Sequence, residues 1–319
     1  MLNLERLRTL DAVARYGSVG GAADGLHVTT SAVSQQLAKL ERETGQQLLA
    51  KQGRGVRLTD AGRLLAAHAA RILTQVEFAR ADLEAQRGQA IGELLIGAFP
   101  TAARGVLPAA LARLRAEHPR LTVSLEEMRP EEAVRRVERG DLDLAVVLDW
   151  DNRPTTLPAG LSKAAILDDP VDVAVPEGHR LAGRDDIVLE DLAADEWVSW
   201  PKGEFCHDWL LCTLRGKGIE PRISHLADEH HTQLALVAAG FGVVVSPRLG
   251  RGPVPDGVRM VPVRHAMCRH VFAVWRTGAG DRPSVRAAVG ALCAVGRAVA
   301  GAAGRGPRPG ARETPAPPQ

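Results

Sequence analysis

The chain has 319 residues, of which 45% are hydrophobic, and a formal net charge of only +2. Its length exceeds that of one typical core and predicts two or three domains, and its hydrophobic content excludes a disordered chain. A net charge this small does not by itself indicate a protein that binds nucleic acid. The charge is unevenly placed, however, because residues 1–63 contain nine basic side chains against six acidic ones.

Composition also bears on the compartment and on metals. No apolar run reaches the about 18 residues that a membrane span needs, and residues 1–15 lack the apolar core of a signal peptide. We therefore expect a cytoplasmic protein without membrane contact, whose four cysteines are free thiols. A metal site drawn from Cys206, His207, Cys212 and the His230–His231 pair is the less favoured alternative, because zinc ligands are usually more closely spaced. Neither a metal nor a cofactor is expected.

Two short helices are predicted at the N-terminus. Apolar residues recur at helical spacing from Leu4 to Ala14. Gly17 then ends the first helix, and Ser18 caps a second, glycine-rich helix over 19–26. Small residues in this second helix permit close packing against a crossing helix.

A third helix, expected over 31–44 with Thr30 or Ser31 as its cap, is the most informative element. Val33, Leu37 and Leu40 form one narrow apolar stripe along it. The opposite face is polar and cationic, so its side chains can reach base edges and phosphates in a major groove. An ordinary solvated helix face is the alternative. The candidate DNA-binding residues of this segment are Thr30, Ser31, Ser34, Gln35, Lys39 and Arg42.

A basic, glycine-punctuated segment follows at residues 51–59. It is predicted to form a hairpin that lies along the sugar-phosphate backbone as a wing. Arg54 and Arg57 are its candidate DNA contacts. Together with the three helices, it favours an all-α N-terminal domain of the winged helix-turn-helix type over residues 1–58.

One long helix is predicted from Thr59 to about Gln86, within a linker that spans residues 59–88. Its apolar residues alternate in steps of four and three, which is typical of a coiled coil. A single helix on the surface is the alternative. A dimer suits a protein that reads two DNA half-sites, so we expect a homodimer or homotetramer. The candidate dimer contacts are Leu65, Ile72, Val76, Ala79 and Leu83.

Strands and helices alternate beyond residue 88. This order predicts parallel sheets with right-handed crossovers, and the pattern restarts near Ala164, with its first strand expected at 171–175. We expect one α/β domain over residues 89–300 that consists of two lobes. Lobe one comprises 91–163 and 268–300, lobe two comprises 164–267, and a disordered tail follows at 301–319.

Several segments match the pattern of a known family. The most specific are Ser31-Ala32-Val33-Ser34-Gln35-Gln36-Leu37 and Leu58-Thr59-Asp60-Ala61-Gly62, and weaker matches continue to about residue 300. Through them the chain resembles the LysR-type transcriptional regulators. The resemblance implies a C-terminal domain with the fold of periplasmic binding proteins, a small-molecule effector in its cleft, and dimers that often pair into tetramers. Double-stranded DNA is then the expected partner and RNA polymerase a candidate one.

The effector cleft is expected where strands end and helices begin. Ligands of two-lobed α/β folds bind there, because helix N-termini offer free N–H groups. Trp150 and Trp200 suit a pocket and a core equally well. Lys202 and His231 suit an anion, and equally well a solvated lysine and a histidine that caps a helix. The hypothesis is a small, partly aromatic or carboxylate-bearing effector. Its candidate binding residues are Thr101, Ala102, Trp150, Ser199, Trp200, Lys202, His231 and Thr232.

Two other classes of protein share such an α/β domain. An enzyme is disfavoured, because the sequence has no nucleophile elbow, P-loop, dinucleotide-binding glycine motif or zincin motif, and we expect no catalytic residue. A solute-binding protein of transport is disfavoured by the leading helix-turn-helix and by the missing signal peptide. A cytosolic solute-binding or enzymatic protein with an incidental helix-turn-helix is thus the alternative to a regulator.

Overall fold

The computed structural model describes residues 2–52, 55–86, 88–264 and 267–303. Its N-terminal domain consists of three helices and a two-stranded hairpin. These elements are α1 (Leu4–Tyr16), α2 (Val19–Leu26), α3 (Thr30–Thr44), β1 (Leu49–Gln52) and β2 (Gly55–Leu58). The hairpin is antiparallel, with Leu49 opposite Leu58.

Local sequence explains where these helices begin and end. Gly17 adopts a left-handed conformation after α1, and the Ser18 hydroxyl accepts a hydrogen bond from the backbone N–H of Gly21 at the start of α2, as predicted. The predicted cap of α3 is wrong by one or two residues. Thr29 is extended and its hydroxyl accepts from the backbone N–H of Ala32, so α3 begins at Thr30.

The long helix α4 (Asp60–Gln86) follows the hairpin. The Thr59 hydroxyl accepts a hydrogen bond from the backbone N–H of Gly62 and donates one to the carbonyl of Gln47. Helix α4 packs on α1 and buries Ala66 and Ala69 in the core of the N-terminal domain. Its first half is therefore part of that domain.

Lobe one has three parallel strands in the order β5, β3, β4, with helices between them. Its elements are β3 (Gly92–Ala98), α5 (Pro100–Gly105), α6 (Leu107–Glu117), β4 (Leu121–Glu127), α7 (Pro130–Arg139) and β5 (Leu144–Trp150). Strand β6 (Leu161–Pro176) then runs through both lobes, and begins ten residues before the strand expected at 171–175.

Lobe two is built on the second half of β6, which pairs with two antiparallel neighbours. Its elements are β7 (Glu196–Ser199), α8 (Phe205–Gly216), β8 (Arg222–Leu226), α9 (His230–Ala238), β9 (Val244–Pro247) and β10 (Val258–Pro262). Strand β11 (Cys268–Arg276) returns to lobe one between β5 and β6. The chain thus crosses between the lobes at β6 and at the segment before β11.

Helix α10 (Pro283–Ala303) closes the fold and extends three residues into the predicted tail. Residues 304–319 lie outside the described residues. By length and composition 283–301 suffices to cross a membrane. In the fold, however, Val285, Ala288 and Leu292 are fully buried in the core of the α/β domain, so we interpret α10 as a core helix.

Candidate DNA-binding surface and effector cleft

Helix α3 separates an apolar from a polar side. Val33, Leu37 and Leu40 are at most 1% exposed and pack in the N-terminal core. On the other side, the six predicted DNA-binding residues from Thr30 to Arg42 are all exposed to solvent. Gln35 and Lys39 make no hydrogen bond or ion pair with any described residue, so both head groups are available to a partner.

One carboxylate fixes the hairpin relative to α3. Glu41 accepts hydrogen bonds from the backbone N–H groups of Leu48, at 2.8 Å, and Leu49, at 3.1 Å. Gly62 completes this junction, because a Cβ at its position would lie 2.2 Å from the Leu48 carbonyl oxygen. Sequence reasoning missed both residues, although a glutamate on a polar helix face just before a strand is a signal for such a bond.

The hairpin carries the other two candidate DNA contacts. Arg57 on β2 is exposed, and Arg54 lies outside the described residues. Glu41 holds α3 next to the hairpin, and both elements carry exposed cations, which are Lys39 and Arg42 on α3 and Arg57 on β2.

The predicted coiled-coil stripe of α4 divides into two parts. Leu65 and Ile72 pack against the core of the N-terminal domain, and Val76 is half-buried. Ala79 and Leu83 are exposed, the leucine by 64%. Ile72, Val76 and Ala79 line a shallow groove along this part of α4. Only the second half of the stripe is therefore free to contact another molecule.

A cavity of about 230 Å³ lies between the two lobes. Its walls are mainly apolar and aromatic, and they come from the ends of β3, β4 and β7 and from the starts of the helices that follow. The apolar lining residues are Phe99, Pro100, Met128, Pro130, Leu148, Trp200, Phe205 and Pro247.

Polar side chains form the floor of this cavity, and their charges and hydrogen-bonding groups already have partners within the protein. The Arg269 guanidinium binds the Asp169 carboxylate at 2.6 Å and donates to the Thr101 hydroxyl at 2.9 Å. Its Cζ also lies 5.0 Å from the centre of the Phe99 ring. Arg269 therefore enters the cavity as half of a neutral pair.

His230 forms another part of the floor. It is buried, and its ring nitrogens lie 3.2 Å from Ser246 Oγ and 3.4 Å from Gln233 Oε1. Burial lowers the pKa of His230 to about 4, and the nearby guanidinium of Arg251 acts in the same direction. The ring is thus uncharged at neutral pH.

An ion-pair cluster spans the mouth of the cavity. Arg129, which belongs to lobe one, binds Glu204 and, at 2.7 Å, Asp228, both of lobe two. Two further carboxylates of the lining, Glu127 and Glu131, are exposed. The mouth therefore carries more negative than positive charge, and its cation is bound to two carboxylates.

The structure brings together only some of the predicted effector residues. Thr101 and Trp200 line the cavity, whereas Ala102 is buried behind it. Ser199 is buried and hydrogen-bonded to His207 Nδ1 at 3.0 Å. Trp150 is also buried, and its ring stacks on Trp209 with the centroids 3.6 Å apart, so it packs in the core.

The predicted anion-binding groups lie elsewhere. Lys202 is exposed and absent from the cavity lining. His231 and Thr232 are exposed at the start of α9, where Glu229 binds the His231 Nδ1 atom at 2.8 Å and accepts from the Thr232 backbone N–H at 2.9 Å. The prediction missed Arg269 and His230. A charged residue inside the apolar strand Cys268–Arg276 was the signal for the first.

Cys206 also lines the cavity, at the first turn of α8. Burial raises the pKa of its thiol to about 11. The sulfur is therefore protonated at neutral pH, and a protonated thiol is a poor nucleophile and a poor metal ligand.

Comparison with known proteins gives the family. Residues 4–63 match the model of the bacterial regulatory helix-turn-helix protein, lysR family, and residues 87–296 match the LysR substrate binding domain. The HTH-type transcriptional regulator YnfL of Escherichia coli is 30% identical over 290 residues, which cover 89% of this chain and 96% of that protein. The hydrogen peroxide-inducible genes activator of Pectobacterium carotovorum is 28% identical, over 87% and 91% respectively.

A solved structure agrees with these matches. A mutant of OxyR from Corynebacterium glutamicum superimposes with a TM-score of 0.60 and 25% identity, over 95% of this chain and 96% of that one. In this chain the helix-turn-helix match precedes the substrate-binding match. The chain belongs to the LysR family of bacterial transcription regulators.

Proposed function

We propose that the protein binds duplex DNA through α3 and the hairpin and that a small effector in the lobe cleft controls this binding. The observation that carries the DNA-binding surface is the division of α3. Its apolar stripe is buried, whereas Gln35 and Lys39 are exposed and form no hydrogen bond or ion pair within the part of the chain that the structure describes. Such a helix can enter a major groove with its polar side toward the bases. RNA polymerase stays a candidate partner.

The residues of this surface have different proposed roles. Ser34 and Gln35 read base edges, because a hydroxyl and an amide both donate and accept hydrogen bonds in the patterns that bases present. Thr30, Ser31, Lys39, Arg42 and Arg57 bind phosphates, which position the protein without specifying sequence. Arg54 has the same proposed role from its sequence position.

A gel shift with the DNA upstream of the protein's own gene tests this proposal. We expect tighter binding to that DNA than to random DNA of equal length, and a strong loss of affinity as salt is raised. Equal affinity for both DNAs at every salt concentration would contradict sequence-specific regulation.

We propose that a second copy of the chain covers the exposed stripe of α4. Val76, Ala79 and Leu83 repeat at steps of three and four, and Ala79 and Leu83 are exposed while Val76 is half-buried. Two copies of α3 in one dimer would meet two half-sites. Sedimentation of Leu83→Glu tests it. We expect a shift from dimer or tetramer toward monomer, which Leu64→Glu, at another exposed leucine of the helix, does not produce.

The cleft favours a small, largely apolar effector that is neutral or cationic. Arg129 and Arg269 are the cations of the lining, and each is already bound by carboxylates, while Glu127 and Glu131 are exposed at the mouth. A carboxylate-bearing effector would have to displace an ion pair and approach like charge. Trp200 and Phe205 supply flat apolar surface for an aromatic ring.

Benzylamine, benzyl alcohol and benzoate are probes of matched size for this cleft. We expect the amine or the alcohol to raise the melting temperature in proportion to its occupancy, and benzoate to raise it less. Trp200→Ala should remove the effect, and Trp275→Ala, outside the cleft, should not. A shift with benzoate alone would contradict the charge argument.

Peroxide sensing is a second candidate, because Cys206 lines the cleft and one relative is a hydrogen peroxide-inducible genes activator. Oxidation would require the thiolate sulfur to attack one peroxide oxygen, with loss of hydroxide and formation of a sulfenic acid. The raised pKa of Cys206 opposes this step. Equal rates of peroxide consumption by the protein and by Cys206→Ser would exclude it.

A further inference from the structure

Helix α7 contacts two parts of the molecule besides its own lobe. Pro130 and Glu131, at its start, line the effector cavity, and Glu138 and Arg139, at its end, contact the N-terminal domain. With 10 residues it spans about 15 Å. One short helix therefore joins the proposed effector site to the proposed DNA-binding domain.

The cleft end of α7 is held by lobe two. Arg129 is the residue directly before the helix, and its guanidinium binds Glu204 and Asp228 across the cavity mouth. These ion pairs form only while the two lobes are close. A change in lobe separation therefore changes the force on the start of α7.

The other end of α7 is held by α1. Arg139 Nε donates to the Tyr16 hydroxyl at 2.7 Å, and its guanidinium lies 5.1 Å from the centre of the tyrosine ring. Glu138 binds Arg15 at 2.9 Å. Arg8 donates to the Arg139 carbonyl and to Asp141, the latter at 3.2 Å. Several polar contacts thus dock the N-terminal domain on this end.

Between its ends α7 is packed as a rigid element. Ala133 and Val137 are fully buried against β5 and β11, in a cluster with Val147 and Phe272. A close-packed interface of this kind shifts as a unit rather than deforming continuously. A displacement at Arg129 is therefore passed to Arg139 rather than absorbed within the helix.

We propose that α7 couples closure of the effector cleft to docking of the DNA-binding domain on lobe one. When the lobes are closed, the Arg129 ion pairs hold α7 in the position in which Glu138 and Arg139 bind α1. When they separate, α7 shifts and the docked contacts weaken. This inference rests on the proposed effector site, but it concerns a contact surface and a transmission element rather than the effector.

Hydrogen exchange of the full-length protein tests the coupling without an effector. Arg139→Ala should raise amide exchange in peptides covering α1 about fivefold, the lower end of coupling between sites. Arg129→Ala, at the far end of α7, should raise exchange in the same α1 peptides by a similar factor. Arg135→Ala is the matched control, because this exposed arginine of α7 makes no hydrogen bond or ion pair with the described residues.

Each result has a distinct meaning. An effect of Arg139→Ala without one of Arg129→Ala would show docking but overturn the coupling. No effect of Arg139→Ala, with the melting temperature unchanged, would overturn the docking itself. Tyr16→Phe keeps the ring and removes the hydroxyl, so it should reproduce part of the Arg139→Ala effect. Because a gel shift measures DNA binding separately, the coupling can fail while the proposed function stands.

Discussion

The Arg269 guanidinium and the Asp169 carboxylate form an ion pair at 2.6 Å, with side chains that are 5% and 2% exposed. Asp169 also accepts hydrogen bonds from the backbone N–H groups of Arg248 and Leu249. The carboxylate thereby joins β6, β11 and the segment after β9 at the point where the chain crosses between the lobes. This pair holds the floor of the cleft.

Removing one partner of this pair should destabilise the protein strongly. Arg269→Met leaves a buried carboxylate without its cation, so we expect a loss of about 3 to 5 kcal/mol in the free energy of unfolding, measured with urea. The control is Arg264→Met, which removes the exposed pair with Asp186 and should cost far less, because solvent screens that pair. Similar losses for the two variants would contradict the buried pair.

The junction of α3 and the hairpin depends on a glycine, and a second glycine provides the comparison. Gly62→Ala places a Cβ on the Leu48 carbonyl oxygen, so the backbone must shift and the melting temperature should fall. At Gly20, in α2, a Cβ meets nothing within 4 Å. Gly20→Ala should therefore raise stability by roughly 0.5 to 1 kcal/mol. Calorimetry of both variants checks the opposite signs.

Glu41 should affect DNA binding without touching DNA. Glu41→Ala leaves the backbone N–H groups of Leu48 and Leu49 without their acceptor, at a cost of about 1 to 3 kcal/mol. Because the hairpin then loses its orientation, affinity for all DNA sequences should fall. Glu41→Gln keeps one acceptor oxygen and should recover most of the affinity. A gel shift that ranks the two variants equally would disprove this role.

Two exposed residues of the DNA-binding surface should behave differently. Gln35→Ala should reduce the preference for the specific site, with a discrimination loss of about 1 to 3 kcal/mol at the base it reads. Arg57→Ala should weaken binding to every sequence and lower the salt slope by about one phosphate contact. Titrations of specific and random DNA at several salt concentrations separate these outcomes. A change of preference with Arg57→Ala alone would contradict the assignment of the hairpin.

Stability should fall in mild acid because of His230. Its folded pKa of about 4 lies below the ordinary value of 6.5, so the unfolded chain binds a proton that the folded chain does not. Stability is therefore lost as the pH falls from about 6.5 toward 4, by roughly 3 kcal/mol in total. Urea unfolding at pH 7.5 and 5 checks this. His230→Gln should show a smaller difference between the two pH values, and an equal difference would contradict the buried neutral ring.

The N-terminal domain was more predictable than the cleft. The burial of Val33, Leu37 and Leu40 and the exposure of Gln35 follow from helical periodicity, which sequence shows directly. The caps follow from single residues such as Gly17 and Ser18. The effect of each residue there is local in sequence.

The cleft depends on contacts between residues far apart in the chain. Arg269 is bound to Thr101, which is 168 positions away in the sequence, and to Asp169, which is 100 positions away. Hydrophobic periodicity does not predict such pairs. Trp150 was wrongly predicted to line the pocket because it lies at the end of a strand. Its ring is covered by Trp209 of the other lobe, and this contact cannot be read from the sequence around Trp150. The first half of β6 was not predicted, because it lies at the edge of the lobe-one sheet, where its residues alternate in exposure.

The stacked indoles of Trp150 and Trp209 have a further consequence. Trp150 ends a strand of lobe one and Trp209 lies on a helix of lobe two, and their rings are inclined by only 10°. Separation of the lobes would part these two rings and expose to water indole surface that is now at most 2% accessible, so the tryptophan fluorescence would change. This tryptophan pair is therefore an intrinsic spectroscopic probe of the distance between the two lobes.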